Sequence, residues 1–273
     1  MKLAVCSEIW RHEPIEAVFR KAASIGFDGV EIAPFLVADD VRTIAAGRRR
    51  EIVRAATDAD VTIVGLHWLF VSPKGLHLTT PDAGIRARTI EYLKALIEFC
   101  GDLGGAVMIL GSPKQRSVEP PNTHAEALER AREALAACAD LCVARGIILC
   151  IEALGPAETN FINTVAEAAA LADAVGSTGV DIMLDFKAIS TMPGGALATI
   201  ERFGRRAKHF HANEPDGFGP GMKPGGTDFA PVLQALFATG FDGWVSVEPF
   251  DYKPDPDTVA STAYRTLRAA AGM

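Results

Sequence analysis

Several things are scarce in this chain of 273 residues, and each scarcity closes off a class of protein. No stretch approaches ~18 consecutive uncharged apolar residues, so no membrane-spanning helix is expected. Positive charge is in deficit: 27 Lys and Arg against 34 Asp and Glu leave a net charge of −7. A general nucleic-acid binder needs a basic face to displace counterions, so neither nucleic acid nor membrane is an expected partner. The one basic run, Arg48-Arg49-Arg50, is followed by Glu51 and reads as a solvated helix end. Cysteine is sparse and odd in number: Cys6, Cys100, Cys138, Cys142 and Cys150 all sit in apolar settings. Buried free thiols in a reducing cytoplasm are the expectation. The start, Met1-Lys2-Leu3-Ala4-Val5, runs straight into a strand pattern without an apolar signal region, which also points to the cytoplasm. No Pro/Gly/Ser-rich linker divides the chain, so residues 1–273 are read as one domain. A glycine-rich phosphate turn is missing too: the first strand runs into Ser7-Glu8-Ile9-Trp10. That argues against an open doubly wound nucleotide-binding sheet.

What is abundant is alternation. Short β-rich runs occupy 3–6, 29–32, 61–67, 106–110, 147–152, 180–185, 207–211 and 244–248. Most are continuous apolar runs, as expected of parallel strands covered on both faces. Between them lie helical patterns at 14–25, 40–59, 81–103, 123–145, 164–175, 195–203, 229–239 and 257–271. Two segments, Ile25-Gly26-Phe27-Asp28-Gly29-Val30-Glu31 and Thr239-Gly240-Phe241-Asp242-Gly243-Trp244-Val245, are near copies of one helix-stop, turn and strand grammar. Eight strand–helix units in this length predict an α/β fold, a single (β/α)₈ TIM barrel.

Barrel chemistry collects where strands run into βα loops. Four successive apolar runs close on an ionisable residue: Glu152, Asp185, His211 and Glu248, at intervals of 33, 26 and 37 residues. Neighbouring strands lie roughly 4.8 Å apart, so these end groups converge. Three carboxylates that close raise one another's pKa unless a cation intervenes. The set therefore predicts one divalent metal ion held by Glu152, Asp185, His211 and Glu248. Oxygen ligands with one imidazole suit Mn²⁺ first, then Mg²⁺ or Co²⁺, with Zn²⁺ the remaining alternative. His209, two residues before His211, is read either as a second ligand or as an inward-facing residue beneath the site.

A family resemblance rests on these segments. The run Ile151-Glu152-Ala153-Leu154-Gly155-Pro156-Ala157-Glu158-Thr159-Asn160-Phe161-Ile162-Asn163-Thr164 resembles the metal-dependent sugar isomerase/epimerase superfamily of xylose-isomerase-like barrels. So do Leu184-Asp185, His209-Phe210-His211-Ala212-Asn213-Glu214 and 240–248. The resemblance is strongest between Ile147 and Asp251, and its nearest understood branch is the ketose 3-epimerases. It implies the same metal quartet, with Glu158 as a substrate contact. It also marks two departures: the branch's histidine three residues after the metal Asp is here Ala188, and its arginine six residues after the metal His is here Gly217. Lys187 and Lys223 are the candidate replacements for those lost donors.

The expected function is a divalent-metal-dependent isomerase or epimerase of a keto-sugar or related polyol, working by proton abstraction through a cis-enediolate. Glu152 and Glu248 would flank the substrate, one removing a proton and the other returning it. A metal-dependent lyase or dehydratase on a keto-sugar or keto-inositol shares that intermediate and is the alternative. Rim candidates for substrate binding are His67, Trp10 and Glu31, since imidazole, indole and carboxylate suit the hydroxyls and C–H faces of a sugar. The Gly- and Pro-rich segment 213–229 follows the metal histidine and is expected to cover the site, with Asp228 capping the next helix. The partner is a small sugar, and barrels of this kind commonly pair, which allows a homo-oligomer.

Overall fold

The computed structural model describes residues Met1 to Gly272. Nine parallel strands form one sheet: β1 (Lys2–Cys6), β2 (Gly29–Ile32), β3 (Thr62–Leu66), β4 (Val107–Leu110), β5 (Ile148–Ile151), β6 (Val180–Ile182), β7 (Leu184–Asp185), β8 (His209–Ala212) and β9 (Trp244–Val247). Their order is β6-β5-β4-β3-β2-β1-β9-β8-β7. That is the topology of a (β/α)₈ barrel whose sixth strand is split at Met183. The first half of this strand pairs with β5 (Ile151↔Ile182), the second with β8 (Asp185↔His211). Barrel strands tilt and their registers stagger, so one strand meets its two neighbours at different heights.

The helices are α1 (Ile15–Ile25), α2 (Ala46–Asp58), α3 (Ala83–Asp102), α4 (His124–Arg145), α5 (Val165–Val175), α6 (Phe186–Ser190), α7 (Gly195–Phe203), α8 (Phe229–Ala238) and α9 (Pro256–Ala270). Their boundaries follow local chemistry. Thr123 with Glu126 and Thr164 with Glu167 form capping boxes that start α4 and α5. Asp228 caps α8, accepting from the Ala230 N–H, as read from the sequence. The expected long helix from residue 40 is shorter. Asp40 caps a 3₁₀ turn (Val41–Thr43), Ile44 turns extended and is buried, and α2 begins only at Ala46.

By internal packing the chain forms two compact units. One comprises Met1–Ile32, Ile52–Val64 and the chain from Met183 onward; it carries β1, β2, β7, β8 and β9. Its core is built from Leu3, Val5, Val30, Ile32, Phe210, Val245 and Val247, all essentially inaccessible. The other comprises Ala33–Glu51 and Gly65–Ile182, with β4, β5 and β6 packed under α3, α4 and α5. Its core holds Met108, Leu110, Leu149, Ile151 and Ile182. All five cysteines are buried and none is in a disulfide. No described helix is long and apolar enough to cross a membrane.

Candidate active site and metal centre

The side chains that carry chemistry stand at the C-terminal ends of the strands. On β8, Phe210 points one way while His209 and His211 share the other face, their rings perpendicular with centroids 5.0 Å apart. Both imidazoles meet Glu31 of β2. His209 Nε2 lies 2.7 Å from Glu31 Oε2, and His211 Nε2 lies 3.2 and 3.3 Å from the two carboxylate oxygens. Cys6 Sγ adds a weak contact to Glu31 Oε2 at 3.7 Å and another to Ser246 Oγ at 3.4 Å. Across the His211 ring, Nδ1 is 3.0 Å from Glu248 Oε2 and 4.0 Å from Asp185 Oδ2.

Asp185 does two jobs at once. As the N-cap of α6, its Oδ1 accepts from the Ala188 N–H at 2.7 Å. Its Oδ2 accepts from Asn213 Nδ2 at 2.7 Å, and Asn213 Oδ1 accepts in turn from the Lys187 N–H at 2.8 Å. Asn213 is fully buried, one residue past β8, and its amide fixes the Asp185 carboxylate in place.

The electrostatics follow from this packing. Burial alone would raise the Glu31 carboxyl, but the adjacent imidazoles, His209 ahead of His211, outweigh it and hold Glu31 well below the usual carboxylate range. Burial alone would lower His211, but Glu248 and Glu31 outweigh it and hold the ring well above the usual imidazole range. Negative charge thus crowds this imidazole from both sides.

Glu152 follows β5 and is anchored by backbone. Its N–H donates to the Leu110 carbonyl at 3.3 Å, and its own carbonyl accepts from Arg116 Nη1 at 2.7 Å. The same Nη1 donates to the Leu110 carbonyl at 3.2 Å. Arg116 is 2% exposed, and its Nε and Nη2 have no hydrogen-bond partner among the described residues. Burial lowers its pKa to about 10, against the opposing pull of Glu152 and Glu158. The Glu152 carboxylate lies across the backbone just after β4. A Cβ at Gly111 would sit 1.6 Å from Glu152 Oε2, so only glycine leaves that carboxylate its place.

One ligand atom from each of Glu152, Asp185, His211 and Glu248 lies within 4.8 Å of the others, and all four residues are buried. Three carboxylates and an imidazole at this spacing form a donor set that fits a hard divalent cation. Two further groupings of donor atoms within the same limit join Cys6, Glu8, His67 and Glu248, and Cys6, Glu31 and His211.

The remaining expected residues are placed as follows. Glu31 is not on the rim: β2 extends to Ile32, and the Glu31 side chain is buried among the two histidines. Trp10 is buried, and its indole N–H donates to Asp257 Oδ1 at 2.6 Å, tying it to α9. His67 follows β3 and is buried. Glu158 is half-buried in the loop after β5, its N–H bonded to the Gly155 carbonyl at 2.9 Å. Lys187 places its ammonium over the Phe250 ring, 5.2 Å from the centroid. Lys223 pairs with Asp216 and lies 5.3 Å from the Phe218 ring centroid. Where the resemblance expects an arginine, Gly217 adopts φ +88°, a left-handed turn strained for any side chain. The Gly217 carbonyl accepts from the Phe250 N–H at 2.7 Å, locking the segment after His211 to the one after Glu248.

Sequence reading missed Arg116, Asn213 and Gly111. Asn213 and Gly111 each stand just past a strand that ends near the site, so the strand-end rule that found the acids reaches them if polar and glycine residues are admitted. Arg116 lies six residues beyond Leu110, and no local pattern marks it.

The sequence matches the family described as Xylose isomerase-like TIM barrel over residues 19–270. Among curated relatives, a probable ketose 3-epimerase of Synechocystis sp. is 26% identical, the match covering 98% of this chain and 90% of that protein. A fructoselysine 3-epimerase of Shigella flexneri is 24% identical, covering 94% of this chain and 93% of that one. Among solved structures, a D-psicose 3-epimerase determined in the presence of D-fructose superposes with a TM-score of 0.86 at 22% identity, over 100% of both chains. Strand topology, site placement and family match agree, and the chain belongs to the xylose isomerase-like TIM barrel family.

Proposed function

We propose that this enzyme is a divalent-metal-dependent epimerase of a ketose or ketose derivative, with Glu152 and Glu248 as its proton-transferring pair. The observation that carries the reading is the buried set Glu152, Asp185, His211 and Glu248, whose donor atoms lie within 4.8 Å. A divalent cation would offset the negative charge that these three acids bring together. The relatives named 3-epimerases support the reaction class, and Mn²⁺ suits the donor set best. A bound cation supplies Lewis acidity that stabilises negative charge developing on the substrate's carbonyl and neighbouring hydroxyl oxygens.

The protein's own residues do the rest. Glu152 or Glu248, ionised, removes the proton from the carbon beside the carbonyl, and the other, protonated, returns one to the opposite face. Glu152 is held on its backbone by Arg116 and Leu110, which fixes the point from which its side chain reaches the site. Asn213 and the Ala188 N–H hold Asp185, so that this ligand does not rotate away. His67, Glu158, Trp10, Lys187 and Lys223 remain the candidates for gripping the sugar.

A lyase on a keto-sugar or keto-inositol is the second reading. It is favoured by Ala188 and Gly217, which stand where the 3-epimerase branch carries two oxygen-gripping donors. The test is Mn²⁺-loaded protein with a panel of ketoses in D₂O, followed by NMR, beside a chelator-treated control. Deuterium at the carbon beside the carbonyl with inversion there is expected, and the control should be silent. Transfer to the neighbouring carbon indicates an isomerase, and loss of a hydroxyl a lyase. Exchange that persists in the control removes the metal from the reading.

A further inference from the structure

Glu31 and His209 are as buried as any described residues; Glu31 shares a donor grouping with Cys6 and His211, but neither Glu31 nor His209 belongs to the proposed ligand set. Burying a carboxylate costs several kcal/mol unless charged partners compensate, so such a group needs a reason to be there. We propose that Glu31, clamped by His209, is a positioning residue that fixes the orientation of His211 and commits Nδ1, not Nε2, to the cation. The inference rests on the metal-dependent reading above.

The geometry supports this stepwise. An ionised carboxylate only accepts hydrogen bonds. His211 Nε2 lies 3.2 and 3.3 Å from the two Glu31 oxygens, so Nε2 carries a hydrogen whatever the charge of the ring. The nitrogen that can exchange its proton for a metal ion is therefore Nδ1. That atom faces the two unit-mates of the ligand set, Glu248 Oε2 at 3.0 Å and Asp185 Oδ2 at 4.0 Å. A flipped ring would turn Nδ1 away from these carboxylates and toward Glu31.

Glu31 itself needs a stop, because a single-bonded carboxylate can swing. His209 provides it, with Nε2 2.7 Å from Glu31 Oε2, the shorter of the two histidine contacts. The i, i+2 spacing on β8 is what lets two imidazoles converge on one carboxylate. Carboxylates bonded to the far nitrogen of a ligating imidazole fix the tautomer and raise the basicity of the metal-facing nitrogen. A merely structural ion pair would hold β2 against β8 but would not dictate which nitrogen meets the metal.

The experiment uses ¹⁵N-histidine-labelled protein loaded with ¹¹³Cd²⁺ as a diamagnetic substitute for Mn²⁺, together with Mn²⁺ affinities for wild type, Glu31→Gln and His209→Gln. Cadmium–nitrogen coupling at Nδ1 of His211, with a bonded proton at Nε2, is the expected spectrum. Glu31→Gln should weaken Mn²⁺ binding by roughly 10–100-fold, with a smaller loss for His209→Gln and partial rescue by Glu31→Asp. Coupling at Nε2, or Mn²⁺ affinity in Glu31→Gln within twofold of wild type, would overturn the inference while leaving the metal reading intact. Failure of wild type to bind either ion would instead overturn the metal reading. The wild-type spectrum decides the nitrogen even if Glu31→Gln does not fold.

Discussion

His211 and Glu152 both stand at strand ends of one sheet, and they are gripped at different points, the ring in one case and the backbone in the other. His211 is fixed by other side chains: Glu31 on one edge, Glu248 on the other, with His209 bracing Glu31. Glu152 is held at its backbone: its N–H donates to the Leu110 carbonyl, its carbonyl accepts from the Arg116 guanidinium, and its carboxylate rests over a residue with no side chain. A charged network in a water-free interior is directional and strong, but each member depends on the others. A backbone clamp tolerates changes of charge and fails instead when volume is added. That difference suits the proposed roles, since a ligand must keep one orientation, whereas a base must change protonation without losing its place.

The comparison can be broken from the Glu152 side first. Glu152→Gln keeps the backbone clamp and nearly the same volume but removes the base, so α-proton exchange should fall by roughly 10²–10⁴-fold with an unchanged melting temperature. Exchange within a few-fold of wild type would end its assignment as a base. Next in size is Gly111→Ala. The added methyl displaces the carboxylate without touching any charge, and a misplacement near 1 Å lowers kcat by about 10²-fold. Circular dichroism should show the fold retained; full activity would mean that the carboxylate moves aside without consequence.

Arg116→Met probes the clamp itself. Two buried carbonyls, of Leu110 and Glu152, lose their charged donor, so urea denaturation should report a loss of about 1–3 kcal/mol. A variant as stable as wild type would show that the clamp is not what holds this corner. The smallest effect is expected at Lys223→Ala. Its ammonium is half-exposed and paired with Asp216, an interaction worth about 0.2–1 kcal/mol. Catalytic efficiency should stay within about twofold, and a larger drop in kcat/KM would restore Lys223 as a substrate contact.

How legible the site was depended on what each residue does. Glu152, Asp185, His211 and Glu248 were visible because each ends an apolar run, where an ionisable group is conspicuous. Glu31 was visible as a charge inside the strand 29–32, but its two imidazole partners were not, since they come from a strand about 180 positions away. Asp185 is also a helix cap, a role that a one-dimensional reading offers as the bland alternative to a ligand; here a single carboxylate caps α6 and belongs to the donor set. The break at Met183 was invisible, because it arises from a change of hydrogen-bonding partner between β5 and β8 and not from any property of the residue.

By itself the sequence determined the strand–helix count, the parallel sheet and the three acids and one imidazole that close its strands, because periodicity and strand-end position are local properties. It also contains no run long and apolar enough for a spanning helix, and no described helix is one. Tertiary structure alone decided which nitrogen of His211 faces the carboxylates, why residue 111 is glycine and what Arg116 holds. Those depend on atoms brought within 4 Å by residues up to 180 positions apart, as for Glu31 and His211, and no local pattern encodes such a distance.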